Sequence, residues 1–224
     1  MTSLLVFFGI ALTLAALAGL TMYRSMFVAT RGKKIQAYHA PRKALLVLDL
    51  QEGYGGTNPR QPATAPAAGG MLDTVNRLIR MAAETGMEVC YVRQVFSNTL
   101  FVRMHGGRRV EKVIVDRRIV KINDNDFEKN RTDAFSNLDL ERFLVDHQVN
   151  ELYLTGVDAA YCVYYTALGA LHRGYKVSVV LDAVATRSDM NKLMERYRRR
   201  GIGVVTSREL LQRASERKQN DTYT

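Results

Sequence analysis

The stretch from Glu151 to Ala167, which reads ELYLTGVDAAYCVYYTA, decides the fold of this chain. It begins with an apolar run, Leu152 to Leu154, that is rich enough to form a buried strand. Thr155 and Gly156 interrupt that run. The following segment, Ala159 to Ala170, carries apolar residues at helical spacing. The stretch therefore predicts a buried strand, a sharp turn and a helix, in that order.

Cys162 lies where the predicted helix begins, and two interpretations of it follow. A thiol in the first turn of a helix faces unpaired backbone N–H groups and the positive end of the helix dipole. Both favour the thiolate, so the residue could be a reactive cysteine. Alternatively, Cys162 is a small buried apolar residue, because free cysteine is often buried. This stretch alone leaves both interpretations open.

The composition is that of a globular protein with a strong positive charge. The chain has 224 residues, 47% of them hydrophobic and 24% charged, which is enough for one sizeable domain and an appendage. Its two cysteines lie far apart, so they indicate a reducing compartment or a catalytic thiol, not a disulfide framework. The net charge of +10 is compatible with several anionic partners. Because no nucleic-acid motif accompanies it, we expect no nucleic-acid partner.

The N-terminal segment from Leu4 to Tyr23 contains no charged residue in twenty positions. A helix of that length crosses a hydrocarbon core of about 30 Å. A cleaved signal peptide is the alternative, but it needs a positively charged start and a shorter apolar region. The basic residues instead follow the apolar run, at Arg24, Arg31, Lys33, Lys34, Arg42 and Lys43. By the positive-inside rule we expect a single-pass anchor with the following domain on the cytoplasmic side.

These patterns divide the chain into four parts. Residues 1–23 form the predicted transmembrane anchor, and residues 24–42 form a basic juxtamembrane linker that anionic headgroups would hold near the surface. Residues 43–217 form the main domain. Residues 218–224 are predicted to be a frayed tail.

Strand and helix patterns alternate along the main domain. The predicted strands cover residues 43–50, 87–94, 127–130, 152–154, 176–181 and 202–205. Such alternation gives a parallel sheet covered on both faces. The fold class is therefore α/β, with three α/β/α layers and a Rossmann-like, mostly parallel sheet of about six strands, preceded by one transmembrane helix. Residues 95–126 break the pattern and are predicted to be an extended excursion.

Asp49 ends the first predicted strand, KALLVLDL from Lys43 to Leu50. The ligand crevice of an open α/β sheet lies at the carboxyl ends of its strands, so Asp49 is placed for chemistry. It could also be a polar strand end that caps the following loop. Cys90 lies in the middle of the second predicted strand among apolar neighbours, so we interpret it as a packing residue.

Three segments together carry a family resemblance: LLVLDLQEGY at 45–54, FEKNRTDAF at 127–135 and LYLTGVDAAYCVYYTALGALHRGYKVSVVLDAVAT at 152–186. They resemble the isochorismatase-like cysteine hydrolases, which include nicotinamidases, carbamoylsarcosine amidases and ureidoacrylate amidohydrolases. The likeness covers about residues 43–206, in family order and spacing. It implies the catalytic triad of Asp49, Lys129 and Cys162.

The resemblance also implies the surroundings of this triad. A non-proline cis peptide is expected at Val157–Asp158, and the backbone N–H groups of Asp158 and Cys162 would form an oxyanion hole. Tyr54, Tyr161 and Phe135 would line the substrate pocket. The resemblance further implies a small-molecule amide or ureide substrate, no cofactor and a homo-oligomeric assembly.

Two departures from the family pattern narrow the expected chemistry. Metal-dependent nicotinamidases carry an Asp-x-His…His cluster after the second strand, whereas residues 93–100 read RQVFSNTL, with no histidine before His105. We therefore expect no metal site, which weakens nicotinamide as the substrate. Isochorismate vinyl-ether hydrolases lack the catalytic cysteine, so Cys162 indicates cleavage of a C–N bond instead.

The sequence thus predicts a membrane-anchored cysteine hydrolase that cleaves a C–N bond through a thioester. Lys129 and the helix terminus are expected to lower the pKa of the Cys162 thiol, and Asp49 is expected to accept its proton. The alternative is a catalytically silent binding module at the membrane surface. In that case the basic helix at 190–200 would dock an anionic partner, although such a charge run is also typical of a solvated face.

Overall fold

The computed structural model describes residues 2–52, 68–95 and 114–222. Side chains are described within these ranges except at residues 2–6, 22, 25, 68, 69 and 217–222. Tyr54 and His105 lie outside the described residues, as does most of the predicted excursion at 95–126.

Six parallel strands form a single sheet. They are β1 (Arg42–Leu48), β2 (Glu88–Gln94), β3 (Asp126–Lys129), β4 (Val149–Val157), β5 (Lys176–Ala185) and β6 (Gly203–Val205). Their spatial order is β3-β2-β1-β4-β5-β6, and every pairing is parallel. The chain therefore builds one half of the sheet outward from β1 and the other half outward from β4. The boundary between the halves, where β1 meets β4, is where such sheets bind ligands.

The described helices are α1 (Thr2–Phe27), α2 (Ala68–Thr85), α3 (Leu138–Asp146), α4 (Tyr164–His172), α5 (Met190–Arg199) and α6 (Ser207–Thr222). A 3₁₀ turn (Ala134–Ser136) precedes α3, and a π-helical turn (Ala159–Val163) precedes α4.

The apolar residues of β1 alternate between two cores, one on each face of the sheet. Leu45 and Val47 pack with α2 and α6 on one face. Leu46 and Leu48 pack with α3, α4 and α5 on the other. A strand that is buried on both faces needs this continuous apolar run. The predicted three-layer α/β/α fold with six parallel strands is confirmed.

Two further predictions concern the N-terminal part of the chain. Within the described residues, no helix is both long and apolar enough to cross a membrane. The predicted transmembrane helix over residues 4–23 therefore gains no support from the fold. The predicted linker, 24–42, is not a simple spacer, because α1 extends to Phe27 and the backbone N–H of Ile35 donates to the carbonyl of Arg173 at 2.8 Å.

The predicted frayed tail, residues 218–224, overlaps the last helix and stays a prediction. Helix α6 continues to Thr222, so residues 218–222 are helical. The sequence SERKQ at 215–219 consists largely of good helix formers, which extends a helix that is already nucleated at Ser207.

Gly156 permits the closest approach of β4 to β1 at the edge of the sheet that carries the candidate site. Its φ is +113°, and a Cβ built there would lie 1.9 Å from the carbonyl oxygen of Leu48. The backbone oxygen cannot move away without disturbing the residue that precedes Asp49. A side chain at this position is therefore incompatible with the packing of the two strands.

We predict that Gly156→Ala lowers the free energy of unfolding by more than about 3 kcal/mol, through strain and overpacking together. The matched control is Gly86→Ala, because Gly86 also has positive φ (+66°) but a Cβ there meets nothing within 4 Å. That variant should lose only about 1 kcal/mol. Urea unfolding of both variants measures the difference, and equal losses would contradict this account of Gly156.

Candidate active site

Asp49, Lys129 and Cys162 meet at the carboxyl edge of the sheet, as the sequence predicted. Asp49 directly follows β1, Lys129 is the last residue of β3, and Cys162 lies in the π-helical turn after β4. The Lys129 Nζ lies 2.9 Å from Asp49 Oδ2 and 3.3 Å from Cys162 Sγ. The ammonium group therefore contacts both the carboxylate and the thiol.

The Asp49–Lys129 ion pair is almost completely buried, with both residues 1% exposed. A buried charge is costly unless it is paired and hydrogen-bonded. Lys129 Nζ meets this requirement, because it also donates to Gln94 Oε1 at 2.6 Å and to the carbonyl of Arg131 at 3.2 Å. The ammonium position is thus fixed from four sides.

Gln94 and Gln51, which lie beside each other at the site, were not predicted from the sequence. The backbone N–H of Gln94 donates to Gln51 Oε1 at 2.9 Å, and Gln51 Nε2 donates to the carbonyl of Gln94 at 3.2 Å. This exchange fixes the backbone of Gln94, and the Gln94 side chain is held by its own bond from Nε2 to the carbonyl of Lys129 at 3.3 Å. Their position in the chain was the available signal, since Gln94 ends β2 and Gln51 follows β1, both at the carboxyl edge of the sheet.

Asp49 combines an unusual backbone with an unused acceptor. Its φ is +54°, a region that aspartate tolerates better than most residues, and its N–H donates to the carbonyl of Val92 at 2.8 Å. Oδ2 is engaged by Lys129, whereas no hydrogen bond of good geometry reaches the buried Oδ1 from the described residues. The Cys162 thiol and the Gln94 backbone N–H nevertheless lie close enough to oppose the rise in the pKa of Asp49. An oriented carboxylate oxygen without a well-formed hydrogen bond is available to accept a proton.

The charges of the three groups favour a protonated thiol beside an ion pair. Burial, together with the negative charge of Asp49, raises the pKa of Cys162 to about 12, although Lys129 opposes this. Burial also raises the pKa of Asp49, against the lowering effect of Lys129. Burial disfavours the Lys129 cation, but Asp49 and Cys162 hold the pKa of Lys129 above its ordinary value. The cation therefore persists at neutral pH.

This electrostatic arrangement corrects the expected lowering of the thiol pKa. Lys129 does act in the predicted direction, but desolvation and the adjacent carboxylate outweigh it. The helix α4 begins at Tyr164, two residues beyond Cys162. At rest Cys162 is thus a thiol, and its proton must be transferred if the sulfur is to react.

The turn that carries Cys162 begins at the cis peptide Val157–Asp158, which confirms that prediction. The carboxylate of Asp158 accepts from the backbone N–H of Ala160 at 2.8 Å, and its carbonyl accepts from Tyr161 and Val163, both at 3.1 Å. Asp158 therefore caps the turn and fixes its shape. The assignment of the Asp158 and Cys162 N–H groups to an oxyanion hole stays a prediction.

The three predicted pocket residues differ in their position relative to the site. Tyr161, next to Cys162, is 50% exposed and lies at the surface of the site. Phe135 is instead a core residue, because its ring packs 5.6 Å from that of Tyr175 and the guanidinium of Arg173 stacks on it at 4.7 Å. Its burial in the 3₁₀ turn explains why a position near Lys129 in sequence does not reach the pocket. Tyr54 lies outside the described residues.

Cys90 is a packing residue, as predicted. It is fully buried in the core of β2, and burial raises the pKa of its thiol far above the ordinary value. Among the described residues, no group of three or more His, Cys, Asp and Glu side chains could hold a metal ion. The absence of a metal from the functional protein stays a prediction.

The fold and the Asp–Lys–Cys site together define a class: an α/β/α protein with a buried charge pair beside a cysteine at the switch point of its sheet. The profile of the isochorismatase domain matches residues 43–209. The chain therefore belongs to the isochorismatase domain family.

Three individual proteins show what this chain is similar to, each at low sequence identity or over part of its length. The chain is 25% identical over 185 residues to the N-carbamoylsarcosine amidase of an Arthrobacter species, a match that covers 76% of this chain and 67% of that protein. It is 37% identical over 75 residues to a Saccharomyces cerevisiae nicotinamidase, over 32% of this chain and 35% of that protein. The solved N-carbamoylsarcosine amidase of Thermoplasma acidophilum superposes with a TM-score of 0.62 at 27% identity, covering 74% of this chain and 96% of that one.

We predict that Asp49→Asn accelerates alkylation of Cys162 by iodoacetamide at about pH 8, because it removes the negative charge that raises the thiol pKa. The rate should increase about tenfold for each pKa unit lost. Lys129→Met should slow the reaction, because it removes the cation that favours the thiolate. In the wild type the rate should keep rising with pH toward about 12.

Mass spectrometry locates the adduct, and buried Cys90 provides the internal control. The double variant Asp49→Asn/Lys129→Met removes both charges, which separates the electrostatic effect from the cost of leaving one buried charge unpaired. A wild-type rate that levels off near neutral pH would show that the thiol pKa is lowered after all.

Proposed function

We propose that this protein is a cysteine-dependent hydrolase that cleaves a C–N bond of a small amide or ureide. The observation that supports it is the contact of Lys129 Nζ with both Asp49 Oδ2 and Cys162 Sγ at the carboxyl edge of the sheet. Two relatives are named as amidases, an N-carbamoylsarcosine amidase and a nicotinamidase. A nucleophile, a base and a cation in contact are what covalent acyl transfer requires.

In the first half of the reaction Cys162 Sγ attacks the substrate carbonyl carbon while its proton passes to Asp49. The raised pKa of Asp49 brings the carboxylate closer to the basicity that this transfer needs. The same proton then protonates the leaving nitrogen as the C–N bond breaks. Ammonia or an amine departs, and an acyl thioester on Cys162 remains.

In the second half Asp49 takes a proton from water, and the resulting hydroxide adds to the thioester carbon. Collapse of this intermediate breaks the C–S bond and releases the carboxylic acid. The proton on Asp49 returns to the sulfur, so the enzyme regains its resting state. Asp49 therefore transfers one proton in each half-reaction, away from the sulfur in the first and back to the sulfur in the second.

Lys129 acts electrostatically throughout. Its ammonium stabilises the sulfur as negative charge develops, and its hydrogen bonds to Gln94 and Arg131 hold it in place. The backbone N–H groups of Asp158 and Cys162 would stabilise the oxyanion. We infer no cofactor or metal for these steps, and a homo-oligomeric state is a further inference from the family resemblance.

We predict that Cys162→Ala abolishes ammonia release across a panel of amides and ureides while the fold persists, because the substitution removes only the sulfur. Asp49→Asn should also abolish turnover, since an amide cannot carry the proton. Cys90→Ala is the matched control. It should leave the rate within about twofold and cost about 1 kcal/mol of stability as a small cavity.

Mass spectrometry with a slowly hydrolysed substrate should find an acyl adduct on Cys162 and none on Cys90. Turnover that survives in Cys162→Ala would refute the hydrolase proposal. If instead the wild-type protein turns over none of the panel, the silent binding module becomes the better explanation.

We also propose that α1 holds the domain at the cytoplasmic face of a membrane. The uncharged run at 4–23 and the basic residues that follow it support this orientation. So do the large apolar side chains of α1 that are left exposed, such as Phe7 (76%), Phe8 (75%) and Leu12 (68%). Contiguous exposed apolar surface of this kind is typical of a protein or membrane contact.

We predict that the wild-type chain fractionates with membranes and that Leu12→Lys/Leu14→Lys shifts it to the soluble fraction, because burying a charge in lipid is costly. The matched control is Val120→Lys, an exposed apolar residue outside α1 (55% exposed). External protease on intact cells should spare the domain. Cleavage without permeabilisation would overturn the orientation, and a soluble wild-type chain would overturn the attachment.

A further inference from the structure

Residues 24–35 precede the family-matched region, which begins at residue 43, and yet they pack directly beside the candidate active site. We call residues 24–35 the N-terminal strap. The sequence presents it as a basic spacer with no catalytic motif. Its contacts show instead that it is built into the rim of the site.

The strap first engages the loop that follows Lys129. The carbonyl of Met26 accepts hydrogen bonds from both the backbone N–H and the hydroxyl of Thr132. Arg131 Nη2 donates to the carbonyls of Arg24 and Val28 at 3.1 and 3.3 Å. The carbonyl of Arg131 itself accepts a hydrogen bond from Lys129 Nζ. A single residue, Arg131, therefore connects the strap to the Lys129 ammonium group.

The second attachment is buried and charged. The backbone N–H and the hydroxyl of Thr30 both donate to Asp133 Oδ2 at 2.7 Å, and Asp133 is fully buried. Arg173, 2% exposed, donates to Thr30 Oγ1 at 3.0 Å and pairs with Glu141 at 2.9 Å. A Cβ on Gly32 would lie 2.5 Å from Arg173 Nε, so the strap backbone lies directly on this side chain. Such buried polar contacts fix the strap in one position.

These two attachments flank Phe27 and hold its ring against Tyr161 and Tyr165. The ring centroid of Phe27 lies 6.2 Å from that of Tyr161 in an edge-to-face arrangement, and 6.4 Å from that of Tyr165. Tyr161 precedes Cys162 in the chain and remains half exposed. The Phe27 and Tyr161 rings thus form an aromatic pair, and Tyr161 is the chain neighbour of Cys162.

We infer that Phe27 is a specificity-determining residue which, with Tyr161, forms an aromatic wall that selects carbonyl compounds bearing a flat apolar group. Flat rings pack favourably against such a wall in edge-to-face or offset arrangements. The inference deepens the proposed hydrolase function and rests on it for the identity of the reaction. The packing of the wall beside Cys162 does not depend on turnover.

The test compares two alkylating probes on Cys162 in the full-length protein, iodoacetamide and its N-phenyl derivative, with adducts located by mass spectrometry. Phe27→Ala should lower the ratio of the N-phenyl rate to the iodoacetamide rate about two- to tenfold, the range that corresponds to one aromatic pair. The iodoacetamide rate itself should stay within about twofold, since Phe27 touches neither Lys129 nor Asp49. Phe27→Tyr, which keeps the ring, should retain the wild-type ratio.

The matched control is Phe143→Ala. Phe143 in α3 is also half-buried, and its ring lies 5.5 Å from that of Phe127 in β3. It should leave the ratio unchanged. A ratio that is unaffected by Phe27→Ala, or both rates falling together, would overturn the inference. If Phe27→Ala does not fold, Phe27→Leu tests the same ratio with most of the apolar volume kept.

Because alkylation needs no turnover, a failure of the hydrolase proposal remains distinguishable from a failure of this one. Selective alkylation without any amide cleavage would leave the aromatic wall in place and remove only the reaction. Turnover with an unchanged probe ratio would have the opposite meaning, a working hydrolase whose selectivity owes nothing to Phe27.

Discussion

The structure depends on the buried ion pair between Asp49 and Lys129, 2.9 Å apart and both 1% exposed. Desolvation of each charge costs several kcal/mol, so the pair persists only where packing and hydrogen bonds fix it. The strand order brings the two residues to the same part of the sheet, because only β2 lies between β1 and β3. Gln94 at the end of β2 completes the coordination of the ammonium.

The same charges set the protonation state of Cys162, the proposed nucleophile. A thiol beside both a carboxylate and an ammonium feels opposing fields, and in this buried site desolvation decides the balance in favour of the neutral form. In the proposed mechanism Asp49 then has a definite task as the base, because the proton must leave the sulfur as the sulfur attacks. Oδ1 of Asp49, which no well-formed hydrogen bond reaches from the part of the chain that the structure describes, is the oxygen available to accept this proton. A raised thiol pKa is therefore compatible with catalysis in which proton transfer and attack are coupled.

The sequence was informative wherever one local pattern determined the outcome. Apolar runs predicted the strands, and polar residues at strand ends predicted Asp49, Lys129 and Cys162, because parallel strands bring their carboxyl ends to one edge. It was less informative where the outcome depended on contacts between distant segments. The raised pKa of Cys162 arises from burial, and the core position of Phe135 depends on Tyr175 and Arg173. Neither of these two properties produces a periodic pattern in the sequence.

The N-terminal strap shows why a domain boundary read from a pattern can differ from the physical one. A boundary at residue 43 would remove Thr30, the donor of two hydrogen bonds to the buried carboxylate of Asp133, and would uncover Arg173. A buried carboxylate that loses its donors is destabilising, and Asp133 also accepts from the N–H of Phe135 in the turn after Lys129. The packed surroundings of this site therefore include the strap from Met26 onward, because the Met26 carbonyl accepts a hydrogen bond from the backbone N–H of Thr132.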